Sequence, residues 1–137
     1  MSYLVDTNVL SELRRKRPDA KVLQWFLQRP AGTLYLSVLT VGEIRKGIEL
    51  LTDAQRRLVL LDWLEIELPA FFSGRILPID AGVADRWGRI VAQARQPLPA
   101  IDSLLVATAV QHGLTFATRN LRDVQGLGAQ VLSPWDD

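Results

Sequence analysis

Tyr3-Leu4-Val5-Asp6-Thr7-Asn8 is a short apolar run that breaks off into residues suited to starting a helix. It reads as a buried strand that passes directly into a helix. The same pattern recurs outward from it. Arg14-Arg15-Lys16-Arg17-Pro18 closes the first helix, and Ala20 to Gln28 forms a second, with Val22, Leu23, Phe26 and Leu27 on one face. Thr33 to Ser37 is a strand, and Val38 to Leu51 is helical by period. Thr52-x-x-Gln55 reads as a capping box that opens a long helix to about Leu68, with Pro69 as its stop. Arg75 to Ile79 is a third strand, and Asp80 caps a helix running to about Arg95. Gln96-Pro97-Leu98-Pro99 breaks the chain before a helix from Ile101 to His112, which Gly113 ends. Leu114 to Thr118 is a fourth strand and Gln130 to Leu132 a fifth.

Strands alternating with helices predict an α/β fold: a parallel sheet of about five strands covered on both faces. No internal repeat, low-complexity tract or linker divides residues 1–137, so one domain is expected. That length suffices to bury about two thirds of the chain's surface without staples. Hydrophobic residues are 48% and charged residues 23%, which excludes disorder. The net charge of +1 neither requires nor forbids a nucleic-acid partner, so any such partner is held by a local patch. With no Cys, disulfide scaffolds, thiolate zinc sites and cysteine nucleophiles are excluded, and a reducing cytoplasm fits. The first residues lack a basic segment before an apolar run, and charge interrupts every apolar stretch well short of a membrane span.

Ligands of open parallel sheets bind at the carboxyl ends of strands. Asp6 stands at such an end, where it is also a preferred helix N-cap. Glu43 falls within about 40° of Leu39 and Leu50 on a helical wheel, at the edge of an apolar face. An unpaired carboxylate is costly there, so either a nearby Arg pairs with it or it has another task. Gly47, one turn on, leaves room for an approach. Asp102 lies on the side of its helix that carries Val106 and Ala109, in a first turn where the dipole favours an anion. Asp123 follows a strand in the loop Arg119-Asn120-Leu121-Arg122-Asp123 and alone reads as a solvated acid.

Taken together these four acids are more pointed. Brought within ~5 Å, each pair repels by a few kcal/mol at an effective dielectric of about 20. A divalent cation resolves that conflict. Oxygen-only ligands select Mg²⁺ or Mn²⁺ over zinc. Such an ion lowers the pKa of its water and stabilises charge building on a phosphate.

Other chemistries fit less well. The single His, His112, precedes a helix-ending glycine and reads as a dipole partner, so no Ser-His-Asp triad is available. Gly42-x-x-x-x-Gly47 lacks the Lys-Ser/Thr of a phosphate loop. A phosphotransfer receiver would need a late Lys, and all Lys stand at 16, 21 and 46. A haloacid-dehalogenase-type phosphatase would need Asp-x-Asp, where this chain has Asp6-Thr7-Asn8. Arginine clusters suit bidentate phosphate contacts. Arg14 with Arg15, and Arg119 with Arg122, matter most because they follow candidate acids.

The motifs now form a set. Leu4-Val5-Asp6-Thr7-Asn8-Val9-Leu10-Ser11-Glu12 resembles the opening motif of PIN-domain ribonucleases. Thr40-Val41-Gly42-Glu43-Ile44 with Gly47-Ile48 is similar to their second, Ala100 to Ala109 to their third, and Phe116-Ala117-Thr118-Arg119-Asn120 to their fourth. Gly74 to Ile79 and Ser133-Pro134-Trp135 resemble the VapC/FitB-type toxins within that family. The resemblance spans essentially the whole chain, in order.

It implies an acidic pocket holding Mg²⁺ or Mn²⁺, endonucleolytic cleavage of RNA, and a dimer held by a cognate VapB-like antitoxin. By position, Asp6, Glu43 and Asp102 match the core acids, with Asp6 and Asp102 on the metal. Glu43 and Asp123 would complete its shell or position the attacking water. Many members carry an acid directly after Thr-Arg, where this chain has Asn120. Either Asp123 takes that place, or the site works with three acids and Asn120 as a neutral ligand. Thr7 and Asn8 would orient the acids, although Thr7 also suits a helix start. Trp25, Phe26 and Trp63 would line a groove for an antitoxin helix, or else lie in the core. The other reading is a non-catalytic interaction module on the same fold.

Overall fold

The computed structural model describes residues 1–136. Its strands are β1 (Tyr3–Val5), β2 (Leu34–Ser37), β3 (Ile76–Leu77), β4 (Thr115–Ala117) and β5 (Val131–Leu132). Its helices are α1 (Thr7–Leu13), α2 (Ala20–Leu27), α3 (Val38–Glu49), α4 (Ala54–Asp62), α5 (Leu68–Phe71), α6 (Ala81–Gln93), α7 (Ala100–His112) and α8 (Leu121–Val124). The strands form one sheet in the order β3-β2-β1-β4-β5, and every pairing is parallel.

Alternation along the strands builds a core on each face of the sheet. Tyr3 and Val5 point to one side, where Leu34, Leu36 and Ala117 join side chains from α1 to α5. Leu4 and Phe116 point to the other, against Leu105, Val106 and Ala109 of α7 and Val124 of α8. β1 and β4 are buried throughout, and β1 reads as an unbroken apolar run for that reason.

Local chemistry sets the helix ends. Asp19, Ser37 and Asp80 accept first-turn backbone N–H groups of α2, α3 and α6. Gly113 ends α7 at φ 66, in the left-handed region. Three expectations need correction. The segment Arg119 to Asp123, expected as a loop, enters the short helix α8 at Leu121. Asp53, not Thr52, caps α4, accepting from the N–H groups of Gln55 and Arg56. A carboxylate one residue nearer the helix takes those donors. Nor does Pro69 end the long helix. The chain widens into a π turn over Trp63–Glu67, where the Leu68 N–H donates to the Trp63 carbonyl, and continues as α5 to Phe71. Proline has no N–H and crowds the carbonyl four residues back, and a widened turn relieves both.

The chain starts at β1, winds outward through β2 and β3, then crosses to β4 and β5 on the opposite side. Winding therefore reverses between β1 and β4. That leaves a crevice at their carboxyl ends, directly above Val5 and Ala117.

Candidate active site

Asp6 leaves β1 at this crevice, and its N–H donates to the Ala117 carbonyl at 2.9 Å, extending the ladder by one residue. Its side chain is 5% exposed. Oδ1 accepts the Thr7 backbone N–H at 2.7 Å, so Asp6 is the N-cap of α1. Oδ2 accepts the Thr118 hydroxyl at 2.7 Å and the Asn8 amide at 3.2 Å. The cap and the site are thus one residue.

Thr7 ties a second acid to the first. While its N–H donates to Asp6, its hydroxyl donates to Glu43 Oε1 at 2.6 Å. Glu43 projects from α3, half-buried, and makes no ion pair among the described residues. The nearby Arg45 turns instead to Glu49 and Glu65. Beside Glu43 a small cavity reaches Gly47, in keeping with the room that glycine leaves. Asp102 enters from the first turn of α7, half-buried and also without a cation partner.

Asp6, Glu43 and Asp102 line one pocket of about 460 Å³, together with Thr7, Asn8 and Asn120. Burial is the main cause that raises the Asp6 carboxyl from 3.8 to about 6, against the bonds from Thr118 and Thr7; the charges of Asp102 and Glu43 push the same way. Asp102 is also raised, first by burial, then by the charges of Glu43 and Asp123. Two carboxyls raised by burial and by neighbouring negative charge describe a pocket short of positive charge.

The donor set is all oxygen, which fits a hard divalent cation. Among the described residues no three acids or histidines stand close enough to enclose an ion by themselves. Two carboxylates with retained waters is the manner of Mg²⁺.

The remaining candidates divide. Arg15 and Arg119 line the pocket. Arg15 pairs with the buried Glu12 at 3.3 Å, and Arg119 lies over the Trp135 ring, 5.0 Å from its centroid. Arg14 turns away and stacks over Trp63 at 5.1 Å. Arg122 and Asp123 sit on α8 and line a neighbouring cavity. Asp123 is exposed and outside the acid pocket, yet near enough for its charge to raise Asp102.

Asn120 lines the pocket, and its N–H donates to the Thr118 hydroxyl at 3.1 Å. Thr118 lies within the fourth motif, but the sequence reading gives it no role. Its hydroxyl gives its proton to Asp6 and accepts from Asn8 and Asn120. Its place in that motif, directly after β4, is the signal that could have marked it.

A separate apolar groove is lined by Leu23, Phe26, Leu27, Trp63 and Phe71. Trp25, expected there, is turned inward at 3% exposure, with its ring edge-on to Tyr3 at 5.1 Å and Arg29 over it at 4.4 Å. On α2 it lies three residues after Val22, so the helix turns both into the core while Phe26 stays at the rim.

Comparison with known proteins agrees with this architecture. The PIN domain family model matches residues 3–124. The chain is 36% identical over 136 residues to VapC ribonuclease Y4jK of Sinorhizobium fredii, covering 97% of each. It is 38% identical over 137 residues to Toxin FitB of Neisseria gonorrhoeae, covering 98% of this chain and 99% of that one. Among solved structures, the crystal structure of FitAcB from Neisseria gonorrhoeae superposes with a TM-score of 0.93 at 38% identity. The match covers 97% of this chain and 98% of that one.

Proposed function

The chain belongs to the PIN domain family, and we propose that it is an endoribonuclease toxin, dependent on Mg²⁺ or Mn²⁺ and neutralised by an antitoxin. The observation that carries the reading is the convergence of Asp6, Glu43 and Asp102, none paired with a cation among the described residues, at the switch point of the sheet. A purely structural set of acids would pair with the arginines nearby.

In this reading Asp6 and Asp102 hold the cation, which when bound supplies positive charge to the phosphate and acidity to water. Thr118, Asn8 and the Thr7 N–H fix the orientation of Asp6. Glu43 has Oε1 occupied by Thr7, and its other oxygen accepts the proton of the attacking water. That water displaces the leaving oxygen in line, so no protein nucleophile is needed. Arg15 and Arg119 receive the flanking phosphates at the rim. Asn120 stands at the family's fourth position as a neutral group, and Asp123 acts on Asp102 through its charge.

The groove of Phe26, Trp63 and Phe71 suits an apolar antitoxin segment. A homodimer, enlarged by the antitoxin, and a cytoplasmic location complete the reading. No helix among the described residues is long and apolar enough to cross a membrane.

The test is cleavage of a mixed structured RNA by antitoxin-free protein in EDTA, Mg²⁺ or Mn²⁺, beside Asp102→Asn. Cutting that needs the metal and vanishes in the variant is expected. A folded protein that neither cuts RNA nor binds metal overturns the reading in favour of an interaction module.

A further inference from the structure

Beside the acid pocket lies a larger cavity of about 750 Å³, between the α6–α7 connection and the segment following α8. The two adjoin through shared elements. Pro99 lines the second cavity, and Asp102, three residues on in α7, lines the first. Asn120 lines the first, and Arg122 and Asp123, two and three residues on, line the second.

The lining has a distinct chemistry. Arg95 and Arg122 both line it and make no ion pair among the described residues, while Asp123 adds a carboxylate to the same lining. Gln93, Gln96 and Gln125 add amides that both donate and accept. Leu98, between Pro97 and Pro99 whose rings fix their backbone φ, supplies an apolar wall. Gly126 and Gly128, at φ 79 and 100, leave the facing backbone without side chains.

We infer that this cavity is a nucleotide subsite, which seats a base and phosphate of single-stranded RNA beside the scissile bond and contributes to sequence preference. Free guanidinium groups pair with phosphate oxygens and stack on bases. Amides read the exposed edges of an unpaired base, and an apolar wall takes its face. A duplex would keep those edges paired. The inference rests on the ribonuclease reading, since the acid pocket must hold the phosphate that is cut.

The experiment follows binding of a fluorescein-labelled single-stranded RNA by anisotropy in Mg²⁺. It uses the Asp102→Asn protein, so that no strand is cut. Adding Arg95→Ala and Arg122→Ala should weaken binding roughly tenfold and lower the salt slope by about 0.7 for each phosphate no longer neutralised. Arg57→Ala, which removes an arginine paired with Glu49 elsewhere, should change neither. Gln93→Ala with Gln96→Ala should alter the ranking of homopolymer RNAs while the salt slope stays unchanged. RNA binding that survives the arginine pair with the same slope overturns the subsite and leaves the ribonuclease reading intact. So does a loss confined to binding a protein partner. If the wild-type chain cuts no RNA and the Asp102→Asn protein binds none, both fall together.

Discussion

Asp6 carries two roles whose demands conflict. As the cap of α1 it satisfies a first-turn N–H, and as a wall of the acid pocket it is a buried charge facing others. The sign of the pH effect follows from its raised carboxyl. Below 3.8 both folded and unfolded chains are protonated there and no penalty applies. Between 3.8 and about 6 the unfolded chain ionises first, so stability falls as pH rises. Above that range the penalty is constant, at about 3 kcal/mol in metal-free protein. Asn keeps the cap and removes the charge. Asp6→Asn is therefore expected to be more stable than the wild type at pH 7.5 in EDTA by roughly 1–2 kcal/mol, allowing for a weakened bond to Thr118. The gap should close towards pH 4, which urea denaturation at several pH values checks. A gap that is constant with pH would show that the Asp6 charge is not what costs stability.

Thr118 acts on the same group with the opposite sign. Its hydroxyl bond favours ionised Asp6. Thr118→Val keeps the shape and deletes the bond, so it should destabilise the fold by about 1–3 kcal/mol. It should also extend the upper end of the pH range over which stability falls, since the folded carboxyl rises further while the unfolded one does not move. The same titration series measures both.

At the element scale, most helix boundaries are local events. A capping carboxylate, a left-handed glycine or a strand-ending polar residue lies within a few positions of the boundary it sets. This explains why Asp80 and Gly113 are readable as start and stop. The stretch from Thr52 to Phe71 is less legible. Two neighbouring side chains compete for one cap, and a π turn absorbs a proline that usually ends a helix. Glycines inside helices offer a clean test of local propensity. Gly88 sits mid-way along α6, and a Cβ there would meet nothing within 4 Å. Gly88→Ala should stabilise the chain by about 0.5–1 kcal/mol, seen as a higher Tm with cleavage unchanged. A lower Tm would mean that this face is occupied in the folded protein.

Across the whole molecule, the acids gather because parallel strands lie side by side irrespective of their separation in the chain. Asp6 and Thr118 are 112 residues apart in sequence, yet their side chains bond because β1 pairs with β4. A cation at that junction would bind the folded chain and not the unfolded one. Added Mg²⁺ should therefore raise the Tm of the wild type, by a stabilisation of about 2.7 kcal/mol at one hundred times its dissociation constant. The increase should be much smaller in Asp102→Asn. Equal increases in both proteins would place the bound ion elsewhere.

The α/β class, most elements and four candidate acids, Asp6, Glu43, Asp102 and Asp123, were legible in the residues alone. Each of these has a short-range signature: hydrophobic period, a capping residue, or a carboxylate set in an apolar helix face. Packing of distant segments settled that three of those acids meet, that Thr118 holds Asp6, that Arg14 turns to Trp63, and that Asp123 and Arg122 line a neighbouring cavity. Those outcomes depend on strand order and on which side of a helix meets the sheet. Long-range packing fixes both, and neighbouring residues leave no local trace of either.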